Sequence, residues 1–132
     1  MQGQKRVRIG VLINHAIFWF HQNLIKGVLA AVDRHQCDVF FLIGRQLKDG
    51  YGSSSYNVVY DLINPEDYDG LIINSGALSN YVSSEEFEEF CSRYRSIPMI
   101  STSRPVKGIP TIMNDNTICI SNMIMHFVEK HD

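Results

Sequence analysis

The first strong pattern in the chain is a nearly unbroken β-branched and apolar run, Val7-Arg8-Ile9-Gly10-Val11-Leu12-Ile13. A run without apolar–polar alternation is the signature of a strand covered on both faces. From about Phe18 to His35 the period changes. Leu24, Val28, Ala31 and Val32 recur at helical spacing, with Gln22, Lys26, Asp33 and Arg34 between them, which predicts an amphipathic helix. Asp38 to Ile43 is a second buried-strand run, and the glycine- and serine-rich stretch from Gly44 to Ser55 reads as a loop. Tyr56 to Ile63 is a short helix, stopped by Asn64-Pro65. Leu71-Ile72-Ile73 predicts a third strand and Asn74 to Val82 a loop. Ser83 or Ser84 ahead of Glu85-Glu86 then opens a helix whose apolar face is Phe87, Phe90, Cys91 and Tyr94. Ile97 to Ser101 is a fourth strand, with Pro98 near its start. Pro110 to Met113 is a fifth. Asn116 or Thr117 begins a last helix, in which Ile120, Met123, Ile124, Phe127 and Val128 follow the i, i+3, i+4 rule.

Strands alternating with helices imply a parallel sheet with helices on both faces. No internal repeat or linker divides the 132 residues, so one α/β domain is expected, long enough to bury a core without staples. Apolar residues make up 45% and charged residues 20%, the balance of an ordinary globular protein. A net charge of −2 gives no broad nucleic-acid-binding face, and the basic opening Lys5-Arg6-Arg8 is too short to make one. Cys37, Cys91 and Cys119 are scattered and lack metal-type spacing; they read as buried or half-buried thiols in a reducing compartment. No signal peptide and no stretch of membrane-spanning length is visible. A cytoplasmic location and no membrane contact are expected.

In an open α/β sheet, ligands gather beyond the carboxyl ends of the strands. Five loops qualify. The first, Asn14-His15-Ala16-Ile17-Phe18-Trp19-Phe20-His21, sets three aromatics and two histidines after the first strand. Aromatic faces with polar groups beside them suit a sugar, nucleobase or similar ligand, although Phe18 and Phe20 have the plainer alternative of capping the helix's inner end. The others are Gly44-Arg45, Asn74-Ser75-Gly76, Ser101-Thr102-Ser103-Arg104 and Asn114-Asp115-Asn116. Arg45 and Arg104 suit bidentate contact with an anion, but each loop residue taken singly also reads as turn chemistry or solvation. Candidate ligand-binding residues are therefore Asn14, His15, Phe18, Trp19, Phe20, Arg45, Asn74, Ser75, Gly76, Ser103, Arg104 and Asp115.

Several chemistries are disfavoured by the residues. A phosphate-accepting receiver domain needs acids after the first and third strands, where this chain has Asn14-His15 and Asn74. A dinucleotide-binding domain needs a glycine-rich turn after the first strand, and Asn14 to Phe20 contains no glycine. No G-x-S-x-G elbow, C-x-x-C or H-x-x-x-H pair occurs. No enzymatic activity, cofactor or metal is expected.

Arg8-Ile-Gly-Val-Leu-Ile13, Asp69-Gly-Leu-Ile-Ile73, Ile97-Pro-Met-Ile100, Gly108-Ile-Pro110 and Asn114-Asp-Asn116 together resemble the landmarks of the LacI-type, periplasmic-binding-protein-like sensor domain over nearly the whole chain. The segment from Ser75 to Tyr94 is similar to the variant at the amino end of bacterial diguanylate cyclases and sensor kinases. Met1 lies a few residues before the first strand, where a LacI-type repressor would carry a helix-turn-helix, which favours the signalling variant. The resemblance implies a flavodoxin-like three-layer sandwich, residues 1–132 forming the amino-terminal lobe of a class I two-lobed sensor whose second lobe is absent. It also implies a small organic ligand held between the lobes, with Asn14, the aromatic loop, Asn74-Ser75-Gly76 and Asp115 facing the cleft, and a homodimer as the assembly. Where the family has a small polar residue and a proline–aromatic pair in its first loop, this chain has Phe18-Trp19-Phe20, so ligand identity does not transfer. Two alternatives stay open: a dimerisation module without a ligand, and the effector domain of a LacI-type repressor.

Overall fold

The computed structural model describes residues 6–131. Five strands form one parallel sheet: β1 (Arg8–Ile13), β2 (Asp38–Ile43), β3 (Gly70–Ile73), β4 (Met99–Thr102) and β5 (Thr111–Ile112), in the order β2-β1-β3-β4-β5. The helices are α1 (Trp19–His35), α2 (Ser53–Asp61), α3 (Ser75–Leu78), α4 (Ser84–Ser92) and α5 (Asn116–Lys130). This is the expected flavodoxin-like α/β arrangement, a parallel sheet flanked by helices.

The two faces of the sheet are unequally covered. On one, Leu12, Leu42, Leu71 and Ile73 pack against Tyr60 of α2, Phe87 and Phe90 of α4, and Tyr94 beyond it. Gly10 is required here, because a Cβ on it would lie 2.7 Å from Leu71 Cδ2 and 3.1 Å from the Tyr68 ring. Helix α4 opens with a reciprocal cap: Ser83 Oγ accepts from the Glu86 N–H at 3.2 Å, and the Glu86 carboxylate accepts from the Ser83 N–H at 2.9 Å. On the other face Val11 and Ile13 are fully buried, whereas Ile100 is 40% and Ile112 65% exposed. A trough of about 380 Å³ runs there between α1 and the sheet, lined by Ile9, Leu24, Val28, Ile72, Ile100 and Ile112 among others. No residue of α5 is buried, and its apolar stripe is bare: Ile120, Met123, Ile124, Phe127 and Val128 are all exposed.

Differences from the sequence reading have local causes. Helix α2 begins at Ser53, inside the expected loop, because Gly52 supplies the left-handed turn before it (φ 76°). It ends at Asp61, two residues short of the expected boundary. Residues 75–78 coil into α3, where the Asn74 carbonyl accepts from the Leu78 N–H at 3.0 Å and the Ser79 hydroxyl donates to the Ser75 carbonyl at 2.6 Å. Strand β4 begins after Pro98, whose carbonyl accepts from the Leu71 N–H at 2.9 Å. Of the cysteines, Cys91 is buried and Cys37 half-buried, but Cys119 is exposed on α5, contrary to the expectation for all three. The cause is the absence of any cover over that helix.

Candidate functional site

Parallel strands deliver their carboxyl ends to one edge, and the sheet's hydrogen bonding continues past the strand ends. The Asn74 N–H donates to the Leu12 carbonyl at 3.0 Å, the Gly44 N–H to Ile13 at 3.0 Å and the Ser103 N–H to Ile112 at 2.9 Å. Asn14, Gly44, Asn74, Ser103 and Met113 therefore follow five strand ends along a common rim, and every residue of the sequence-derived site lies in the loops or first helical turns that follow those ends.

The rim divides into two halves. Along β2, β4 and β5, and in α3 just beyond β3, most polar groups have internal partners. The Arg45 guanidinium lies 4.5 Å from the centroid of the Tyr56 ring and 3.9 Å from the Asp49 carboxylate. Arg104 is a strut: its Nη1 donates to the Ser79 carbonyl (3.1 Å) and hydroxyl (2.6 Å), and its Nη2 to Ser84 Oγ at 3.0 Å. Ser75 is fully buried and shares a hydroxyl–hydroxyl bond with Ser101 at 2.7 Å. Gly76 lets α3 approach β4, since a Cβ on it would lie 2.7 Å from Ser103 Cβ. Ser103 itself is exposed with φ 67°, and Asp115 caps α5 by accepting from the Thr117 N–H at 3.0 Å. Apart from Ser103, whose side chain is exposed, these residues are engaged in holding loops and helix ends in place.

Along β1 and β3 the situation is the reverse. Phe18 is 58%, Trp19 74% and Phe20 40% exposed, arranged edge to face: His15 with Phe18 at 5.4 Å, Trp19 with Phe20 at 6.2 Å, Phe20 with His21 at 5.6 Å between ring centroids. Trp19 begins α1 and Phe18 is its N-cap residue, with no side chain capping the helix. On the same half of the rim three polar side chains are covered, Asn14 (2% exposed), His21 (7%) and Asn74 (0%). Asn74 Oδ1 accepts from the Thr102 hydroxyl at 3.3 Å. Asn14 Oδ1, Asn74 Nδ2 and both ring nitrogens of His21 have no partner. Burial, then the neighbouring His15, pushes the His21 imidazole below its ordinary pKa, which favours the uncharged ring.

His21 is the one buried residue of α1, and the sequence-derived site omitted it. Its signal was present: it starts the inward series continued by Leu24 and Val28. A histidine at the head of an otherwise aliphatic face is a placed polar group.

Among the described residues no group of three or more His, Cys, Asp or Glu side chains is placed to hold a metal ion. No helix among them is long and apolar enough to cross a membrane. Comparison of the chain with protein-family models, with curated proteins and with solved structures finds no match. The β1/β3 half of the rim offers exposed aromatic surface and covered neutral hydrogen-bonding groups.

Proposed function

We propose that this chain is a non-catalytic, small-molecule-sensing lobe of a bacterial signalling or transcription-regulatory protein, one α/β wall of a two-lobed receptor of the LacI-like kind. The observation that carries the reading is the β1/β3 half of the rim. There, Phe18 and Phe20 are exposed beside the buried, unpartnered His21, and Asn14 and Asn74 hold further buried polar atoms without partners. Buried polar groups cost stability unless paired, and exposed aromatic clusters mark binding surfaces. A ligand entering this corner relieves both conditions.

The cleft in this reading is closed by a second lobe, and α5 supports the idea. A helix of 15 residues is marginal in water by itself, and this one leaves β5 with its apolar stripe turned to no part of the sheet. A body packed on that stripe would be tied to the rim through the three residues Met113 to Asp115, so that ligand-driven closure shifts a population of states. The receptor then works in a reducing, cytoplasmic setting and passes the change to an attached output module.

The test is thermal unfolding of the chain, alone and in any longer protein that contains it, against sugars, nucleosides and amino acids. A ligand at 100 times its Kd stabilises by about 2.7 kcal/mol, which raises Tm by several degrees. Absence of a shift across the whole panel in both forms refutes the reading. A second reading, a dimerisation module without a ligand, draws on the apolar trough beside α1 and the bare stripe of α5. Light scattering separates the two: it requires a stable dimer that no small molecule perturbs.

A further inference from the structure

We infer that two copies of this chain exchange their last helices, the apolar stripe of α5 in each lying in the trough between α1 and the sheet of the other. The body that covers α5 is then a second copy, whichever ligand the rim takes.

The single chain carries two apolar surfaces of matching kind that nothing among the described residues covers. The trough of about 380 Å³ is lined mostly by aliphatic side chains, from Leu24 and Val28 of α1 across Ile72 and Ile100 to Ile112, and no residue of α5 lines it. On α5, Ile120, Met123, Ile124, Phe127 and Val128 are each more than half exposed. Parallel sheets are ordinarily covered by helices on both faces. Here the cover is missing over Ile100 of β4 and Ile112 of β5, beside the strand from which α5 departs.

Gly27 is a second, independent sign. It stands in the middle of α1 and lines the trough, and a Cβ on it would meet nothing within 4 Å. Glycine inside a helix costs stability relative to alanine, and the single chain offers no close neighbour that requires one. A helix seated in the trough is such a neighbour, because Gly27 and Ala31, one turn apart on the lining, let its backbone come near α1.

The area also fits. A helix of 15 residues is about 22 Å long and 10–12 Å across. Sinking half of its surface removes about 400–500 Å² on the helix and a similar area on the trough, so two exchanged helices bury about 1,600–2,000 Å², the size of a stable interface. Exchange, rather than docking on its own sheet, follows from the path of α5. Only Met113, Asn114 and Asp115 separate it from β5, Asp115 fixes its start by accepting from the Thr117 N–H, and no residue of the helix is buried. A short connection that holds an arm outward invites swapping. A two-fold axis closes the pair, since each copy gives one helix and receives one.

Light scattering of the 132-residue chain should show a dimer at about 100 μM. Two double variants test the route: Ile124→Glu with Phe127→Glu on the helix, and Ile100→Glu with Ile112→Glu in the trough. All four side chains are exposed in the single chain, so the core is spared, and circular dichroism checks this. Each variant alone should dimerise at least about 100-fold more weakly, because both contacts of its pair carry the change. Mixed in equal amounts, the two should dimerise, through an intact helix in an intact trough. Hydrogen exchange of the unaltered chain needs no variant: the α5 amides should be open in the dilute monomer and gain protection as concentration rises. A parent that is monomeric at about 100 μM overturns the exchange. So does either variant still dimeric, which places the interface helix on helix or trough on trough, or a mixture no more dimeric than its parts. Protection of α5 that is independent of concentration seats the helix on its own sheet and overturns it as well.

Discussion

Replacing Gly44 with alanine tests how the rim is anchored to the core. Gly44 follows β2, and its φ is not positive, so any penalty is steric rather than conformational. A Cβ there would lie 2.6 Å from Tyr60 Cζ and 2.7 Å from both the Tyr60 hydroxyl and Asn57 Oδ1. None of these atoms can retreat. Tyr60 is fully buried, its hydroxyl donates to the Ile13 carbonyl at 2.9 Å, its own carbonyl accepts from the Tyr94 hydroxyl at 2.9 Å, and its ring meets Phe90 edge-on. Asn57 Oδ1 accepts from the Arg45 N–H at 2.7 Å. Overpacking of this kind costs about 1–3 kcal/mol, and each strained hydrogen bond adds roughly 1 kcal/mol. Alanine's smaller unfolded-state entropy returns about 0.4–1 kcal/mol. The net expectation is a loss of about 2–4 kcal/mol, a large share of a typical domain's stability. Urea unfolding followed by far-UV circular dichroism reads it directly. In a double-mutant cycle, Tyr60→Phe should cost about 1 kcal/mol in the parent and distinctly less in the Gly44→Ala background, because Tyr60→Phe removes one of the atoms that the new methyl meets. A Gly44→Ala loss below about 0.5 kcal/mol, the range of ordinary surface changes, or a cycle with no coupling, refutes the packing argument.

Three further outcomes follow from other parts of the structure. Ser83→Ala breaks the reciprocal cap of α4 and should cost about 1 kcal/mol in the same urea assay. His21 has a folded pKa below its unfolded value, so the unfolded chain binds its proton first as pH falls. Stability should therefore be full above about pH 6.5 and decline as the pH drops from there toward the folded pKa, and His21→Leu should flatten that slope in Tm measured from pH 8 to 5. Hydrogen exchange should be much faster in α5, which buries nothing, than in α4, which buries Phe87, Phe90 and Cys91; α5 protected as well as α4 would show that something already covers it.

The fold was legible wherever the apolar period was unambiguous. Ile9 to Ile13 and Asp38 to Ile43 lie in the sheet because β-branched runs have one economical use in a chain of this size. The last helix was found from its stripe alone, although nothing among the described residues covers that stripe. Periodicity reports that a face is apolar and is silent about what packs on it. The same limit hid the unequal covering of the sheet, since Ile100 and Ile112 read as buried as Ile73. Helix α3 escaped because four residues make no period; its determinants are the Asn74 carbonyl and the Ser79 hydroxyl, which are interactions of backbone geometry.

Strand polarity was enough to name the edge on which loop residues gather, and it does not say which of them have partners. Arginines are conspicuous in a sequence, but Arg104 is spent bridging Ser79 and Ser84, and Arg45 faces Asp49 and Tyr56. Both partnerships link segments far apart in sequence or wrapped through a turn, so no local pattern announces them. The groups left without partners are the quieter ones, two asparagines and a histidine, and their condition depends on what surrounds them. Asn74 at a strand end in water would be ordinary turn chemistry. The same amide fully buried, bonded through one atom and empty-handed at the other, is a cost the fold sustains without return unless something binds there. Charge marks where a loop is fastened in this protein, and unsatisfied neutrality marks where it is free to act.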